Sequence, residues 1–116
     1  MDNKRLPARF YRNSSGKEPV RDWLKQLTPA ERKTIGEDIQ TVEYGWPIGM
    51  PICRPMGKGL FEVRSNLPDG KIARILFCVN QNQLILLHGF IKKTQKTPKK
   101  DLDLALHRQQ SLNAES

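Results

Sequence analysis

Residues 60–92 read LFEVRSNLPDGKIARILFCVNQNQLILLHGFIK, and their pattern decides the fold. Leu60-Phe61-Glu62-Val63-Arg64 alternates with a period of two, which puts Phe61 and Val63 on one side and Glu62 and Arg64 on the other. Pro68-Asp69-Gly70 is a turn signal. The next run, Lys71 to Asn80, directs Ala73, Ile75, Phe77 and Val79 toward the core and leaves Ile72, Arg74, Leu76 and Cys78 opposite. Asn80-Gln81-Asn82 reverses the chain again. In Gln83 to Lys92 the alternation buries Ile85, Leu87 and Ile91, with Leu86, His88, Phe90 and Lys92 facing the other way. Three strands joined by short turns predict an antiparallel meander, in which a slip of one residue exchanges the two faces.

Upstream, Ile52 to Met56 reads as a weaker strand of the same sheet. Before it the period is 3.6. Thr28-Pro29-Ala30-Glu31 is a helix start, because threonine caps, proline suits the first helical position and glutamate completes a capping box. Ile35, Ile39 and Val42 give that helix an apolar stripe, which runs out near Tyr44-Gly45-Trp46-Pro47. Pro19 opens an earlier, shorter helix with Val20, Trp23, Leu24 and Leu27 on one stripe, so the two form a helical hairpin. Trp23 and Trp46 read as core or core-edge residues. Ala8-Arg9-Phe10-Tyr11 is a short strand closed by the turn residues Asn13-Ser14-Ser15-Gly16.

Downstream, residues 92–100 hold five lysines in KKTQKTPKK. Thr97 and Pro98 read as the cap and first position of a terminal helix with Leu102, Ala105 and Leu106 on its apolar side, and Asn113 to Ser116 is expected to fray. The fold class is therefore α+β: an antiparallel sheet, an N-terminal helical hairpin and a C-terminal helix. Without internal repeats or a linker, residues 1–116 read as a single domain with a core from about 8 to 110.

Composition narrows the function. Lysine and arginine number 20 against 12 aspartates and glutamates, a net charge of +8 that favours a polyanion such as nucleic acid, an acidic protein or an anionic membrane surface. No window approaches the roughly 20 apolar residues of a membrane span, and no apolar signal-peptide stretch opens the chain, so a cytoplasmic location is expected. Cys53 and Cys78 lack metal-ligand spacing and read as two inert thiols, with no metal and no cofactor implied.

The alternation brings Glu62, Arg64, Arg74, His88, Phe90 and Lys92 to one side of three neighbouring strands, where the lysine run begins. That reads as a cationic surface with an aromatic in it. Guanidinium groups hold phosphate bidentately, an exposed ring stacks on an unpaired base, and phosphate-bond cleavage needs cations where charge builds up. Each residue also has a structural reading: Glu62 with Arg64 as a surface ion pair, His88 as a hydrogen-bonded core histidine, Phe90 as packing against the terminal helix, the lysines as a solvated helix entrance. Arg74 is the hardest to read so, because it interrupts an apolar strand and must find carboxylates or solvent.

Three segments, Lys58-Gly59-Leu60-Phe61-Glu62-Val63-Arg64, Arg74-Ile75-Leu76-Phe77 and the long Leu86-Leu87-His88-Gly89-Phe90-Ile91-Lys92-Lys93-Thr94-Gln95-Lys96-Thr97-Pro98, carry a resemblance. Together with the helical hairpin, they make the chain similar to the RelE/ParE toxin superfamily of bacterial type II toxin–antitoxin systems, in its HigB-like, phage-associated branch. The resemblance implies a microbial RNase-like fold and a toxin that cuts mRNA in the ribosomal A site without a metal, the ribose 2′-hydroxyl attacking the adjacent phosphate. It also implies neutralisation by a helix-turn-helix antitoxin, through which alone operator DNA is met, and no membrane partner. Carried over by position, Arg64, Arg74, Lys92 and Lys93 are the catalytic candidates, and Lys58, His88, Phe90 and Lys96 the RNA-binding ones. The chain departs from better-studied relatives in having no tyrosine or histidine between Phe90 and His107, which leaves the general acid and base open; a lysine among cationic neighbours is one candidate. The superfamily also holds ParE-like gyrase poisons, and a basic nucleic-acid-binding module without catalysis is the third reading.

Overall fold

A computed structural model of the chain describes residues 4–92 and 96–115. Its elements are β1 (Ala8–Phe10), α1 (Pro19–Lys25), α2 (Pro29–Gly45), β2 (Cys53–Gly57), β3 (Leu60–Asn66), β4 (Ile72–Asn80), β5 (Gln83–Lys92) and α3 (Lys99–Glu115). This is the expected α+β arrangement. The α2 start follows its local chemistry closely: Thr28 Oγ1 accepts from the Glu31 amide at 3.2 Å, and Glu31 Oε1 accepts from the Thr28 amide at 2.9 Å. Gly70, at φ 86°, makes the β3–β4 turn, while Gln81 and Asn82, at φ 50° and 62°, make the left-handed pair of the two-residue β4–β5 turn.

The sheet runs β1-β5-β4-β3-β2, and it is mixed where a wholly antiparallel one was expected. β2 to β5 form the antiparallel meander, but β1 lies parallel to β5, with Ala8 opposite Leu84 and Phe10 opposite Leu86. The cause is connectivity. The helical hairpin carries the chain across one face from the β1 edge to the β2 edge, and four strands folding back bring β5 to β1 in the same direction. Glu43 of α2 secures this edge, its Oε2 accepting from the Ala8 amide at 2.6 Å.

Both faces of the sheet are covered. Val20, Ile35 and Val42 of the hairpin pack on Val63, Ala73, Ile75, Phe77, Leu84 and Leu86, whereas Ala105, Leu102 and Leu106 of α3 pack on Leu60, Leu76, Cys78, Ile85 and Leu87. The expected faces of β5 therefore need correction. Ile85 and Leu87 lie on the α3 side, while Ile91 lies on the hairpin side. A β-bulge causes the exchange: Leu76 pairs with His88 but Phe77 with Leu86, so Leu87 is the extra residue and the alternation inverts across it. Arg108 of α3 donates to the Leu87 carbonyl at 2.7 Å, satisfying backbone at the bulge.

Three smaller expectations also change. Val79 is 39% exposed because β3 begins at Leu60 and leaves it without a neighbour on that side. Helix α3 continues to Glu115, through most of the segment expected to fray. Thr97 precedes α3, which opens at Lys99 where Pro98 was expected to be its first position, and the Thr97 hydroxyl donates to Glu62 Oε2 at 2.5 Å. Gly89 shows why β5 carries a glycine where it faces the hairpin: a Cβ there would stand 2.5 Å from a ring carbon of Trp23. Cys53 and Cys78 are buried on opposite faces, and burial pushes each thiol up to about 11, consistent with two inert thiols. Among the described residues no helix is long and apolar enough to cross a membrane.

Candidate functional site

Strand register sets the polar residues in two rows on the α3 face. Arg54, Glu62, Leu76 and His88 stand side by side across β2 to β5, and two residues along come Arg64, Arg74 and Phe90. Directly opposed residues share a face, so the grouping expected from alternation is present. Its exposure is not as expected. Arg74 is 6% exposed and Glu62 1% exposed, and Arg74 Nη1 donates to Glu62 Oε1. With Thr97 on the other oxygen, the carboxylate is bonded from both the sheet and the approach to α3. A charge this deep is tolerable only when paired, and Glu62 supplies the pairing.

A cavity of about 190 Å³ is lined by Met50, Pro51, Ile52, Arg54, Glu62, Arg64 and Arg74. Three guanidinium groups thus share a small space with one carboxylate. Arg64 has no ion pair among the described residues, and the Nε atoms of both Arg64 and Arg74 are buried without a hydrogen-bond partner. Buried donors are normally satisfied, and these two belong to neighbouring arginines that line one cavity. A phosphate diester fits: it is anionic, acceptor-only and matched to the guanidinium fork. A second cavity, of about 270 Å³, adjoins the first and shares Pro51, Ile52 and Arg64 with it.

The other candidates are dispersed. His88 Nε2 is 2.6 Å from Asp101 Oδ1 of α3, and its ring stacks on Phe90 at 5.5 Å, so both help seat the helix and Phe90 packs into the α3-side core. Lys58, at φ 55°, occupies the β2–β3 turn and its carbonyl accepts from Gln109 of α3. Six residues of extended chain separate it from Arg64, about 20 Å, so the fold does not bring it to the arginines. Lys92 ends β5 opposite Ile72, Lys96 is exposed just before Thr97, and Lys93 lies outside the described residues. Arg54 was missed because a weak strand with a bulge between Pro55 and Gly57 gives no legible register; only its pairing with Glu62 places it. Thr97 and Asp101 were missed as site residues because their partners are 35 and 13 residues away in the chain.

A family model described as "Phage derived protein Gp49-like (DUF891)" matches residues 22–110, which span from α1 well into α3 and include the whole arginine cavity. No curated protein gives a significant match to the sequence.

Proposed function

The chain belongs to the Gp49-like family of phage-derived proteins, of the RelE/toxin-like group, and on that premise we propose that it is the toxin of a type II toxin–antitoxin system that cuts mRNA on the ribosome. One observation carries the reading: Arg64 and Arg74, adjacent on the sheet, border one cavity with Arg54 and each keeps an unsatisfied buried Nε. Preorganised donors of this kind stabilise charge that develops on a phosphoryl group. Glu62 is the one carboxylate among the described residues lining the cavity; with both oxygens bonded to Arg74 and Thr97 it positions Arg74, and a neutral lysine of residues 92–96 accepts the proton of the ribose 2′-hydroxyl. The 2′-oxygen attacks phosphorus and the P–O5′ bond breaks. A lysine of residues 92–96 returns a proton to the leaving 5′-oxygen, so the products are a 2′,3′-cyclic phosphate and a 5′-hydroxyl. The arginines hold the phosphate, whereas the ribosome supplies substrate orientation, which is worth much of the rate in a shallow site. The partners in this reading are the ribosome, its mRNA and a helix-turn-helix antitoxin, with operator DNA reached through the antitoxin. Acidic antitoxin side chains match the +8 charge of the chain.

The test incubates the purified chain with mRNA, free and programmed on bacterial ribosomes, and maps the ends. Cleavage on ribosomes with cyclic-phosphate ends is expected. Rapid cutting of free RNA overturns ribosome dependence, and trapped gyrase–DNA complexes without cut mRNA overturn the RNase reading in favour of a ParE-like toxin.

A further inference from the structure

We propose that the larger cavity beside the arginines is a base-reading subsite selective for guanine, an inference that rests on the RNA-cleaving reading above. It is lined by Thr34, Asp38, Pro51, Ile52, Arg64 and Asn66 and measures about 270 Å³. That is below the roughly 300 Å³ at which pockets for drug-sized ligands begin, a size for one base and not a dinucleotide. Thr34 and Asp38 stand four residues apart on one face of α2, and Arg64 and Asn66 two apart on β3, so polar groups from the helix on one face of the sheet and from the strand's other face border the same cavity, with Pro51 and Ile52 between them in the chain. Pro51 and Ile52 add apolar surface suited to a flat ring.

The polar groups define the ligand. Asp38 is acceptor-only, Arg64 donor-only, and both lie on this cavity without an ion pair between them or to any other described residue. The occupant must therefore offer donors on one edge and acceptors on the next. Guanine does so. Its N1–H and N2–H₂ form adjacent donors for a carboxylate, and its O6 and N7 form the acceptor pair that arginine engages bidentately. Adenine and cytosine each set a single amino group beside a ring acceptor that repels a carboxylate, and uracil places one N–H between two carbonyls. Because Arg64 borders both cavities and carries five N–H donors, it can touch the base and the neighbouring phosphate together.

The experiment titrates the full chain with the four nucleoside 3′-monophosphates and inorganic phosphate, and repeats it with Asp38→Asn and Asn66→Ala, thermal melting serving as the fold control. Guanosine 3′-monophosphate is expected to bind at least tenfold more tightly than the other three, with Asp38→Asn reducing that margin below threefold. Equal affinity for all four nucleotides overturns the inference, as does a guanine preference that survives Asp38→Asn. Cut sites mapped on ribosome-bound mRNA separate the two readings: cleavage without guanine enrichment sinks the subsite alone, whereas no cleavage and no phosphate binding sinks the RNase reading itself.

Discussion

Arg64 and Arg74 stand directly opposite each other on β3 and β4, and among the described residues only Arg74 of the two has a carboxylate partner. Like charges facing each other across a ladder destabilise it. The fold nonetheless sets them side by side, and a bound phosphate diester is what would make the pairing favourable.

Arg64→Ala is expected to separate stability from activity. Removing an unpaired cation from beside Arg74 relieves repulsion, so the melting point holds or rises, with a gain of up to about 1 kcal/mol. Ribosome-dependent cleavage should fall about 100- to 1,000-fold, the usual cost of losing one preorganised donor. A large loss of stability without loss of cleavage would reverse this assignment.

Arg74→Ala is expected to do both kinds of damage. It leaves Glu62 charged, buried and short of a partner, which costs about 3–5 kcal/mol and lowers the melting temperature by at least about 10 °C. Replacing both partners, Arg74→Met with Glu62→Leu, should recover most of the stability and none of the cleavage, because an apolar pair needs no compensation. Calorimetric melts of the single and double variants check this.

Gly89→Ala tests the approach of α1 to the sheet. The added Cβ meets Trp23 at 2.5 Å, so the indole must move, an overpacking cost of about 1–3 kcal/mol. Combining it with Trp23→Leu should return part of that loss. If denaturant midpoints show Gly89→Ala as neutral alone, the indole does not sit where the structure puts it.

Cys53 and Cys78 should not react with a soluble disulfide reagent at pH 8 in the folded chain, and both should react after unfolding. Burial raises each thiol from 9.0 to about 11, so the neutral form persists through neutral pH. The sign follows: the stability tied to the neutral thiols is complete below pH 9.0 and is lost as the pH rises toward about 11. Urea midpoints should therefore fall across that alkaline range.

Much of the fold is legible because its signals are local. The Thr28 and Glu31 capping box, the stripes of Val20, Ile35 and Val42, and the turns at Gly70 and Gln81-Asn82 each depend on residues within a few positions of one another. The alternation in β3 and β4 likewise suffices to place Glu62, Arg64 and Arg74 on one face.

What only the tertiary structure decides depends on partners distant in the chain. The bulge at Leu87 inverts the faces of half of β5, and no periodicity marks one extra residue in an apolar run. The parallel seat of β1 follows from the path of the hairpin over the sheet, not from the strand's own residues. Arg74 reads along the chain as a cation in need of carboxylates or solvent, and which of the two it finds is not legible because its carboxylate is 12 residues away on another strand, where Thr97, 35 residues from Glu62, closes the same contact. Sequence spacing constrains residues a turn or a pleat apart; a buried charge pair and a shared cavity are set by register and packing, and these exist only once the sheet has closed.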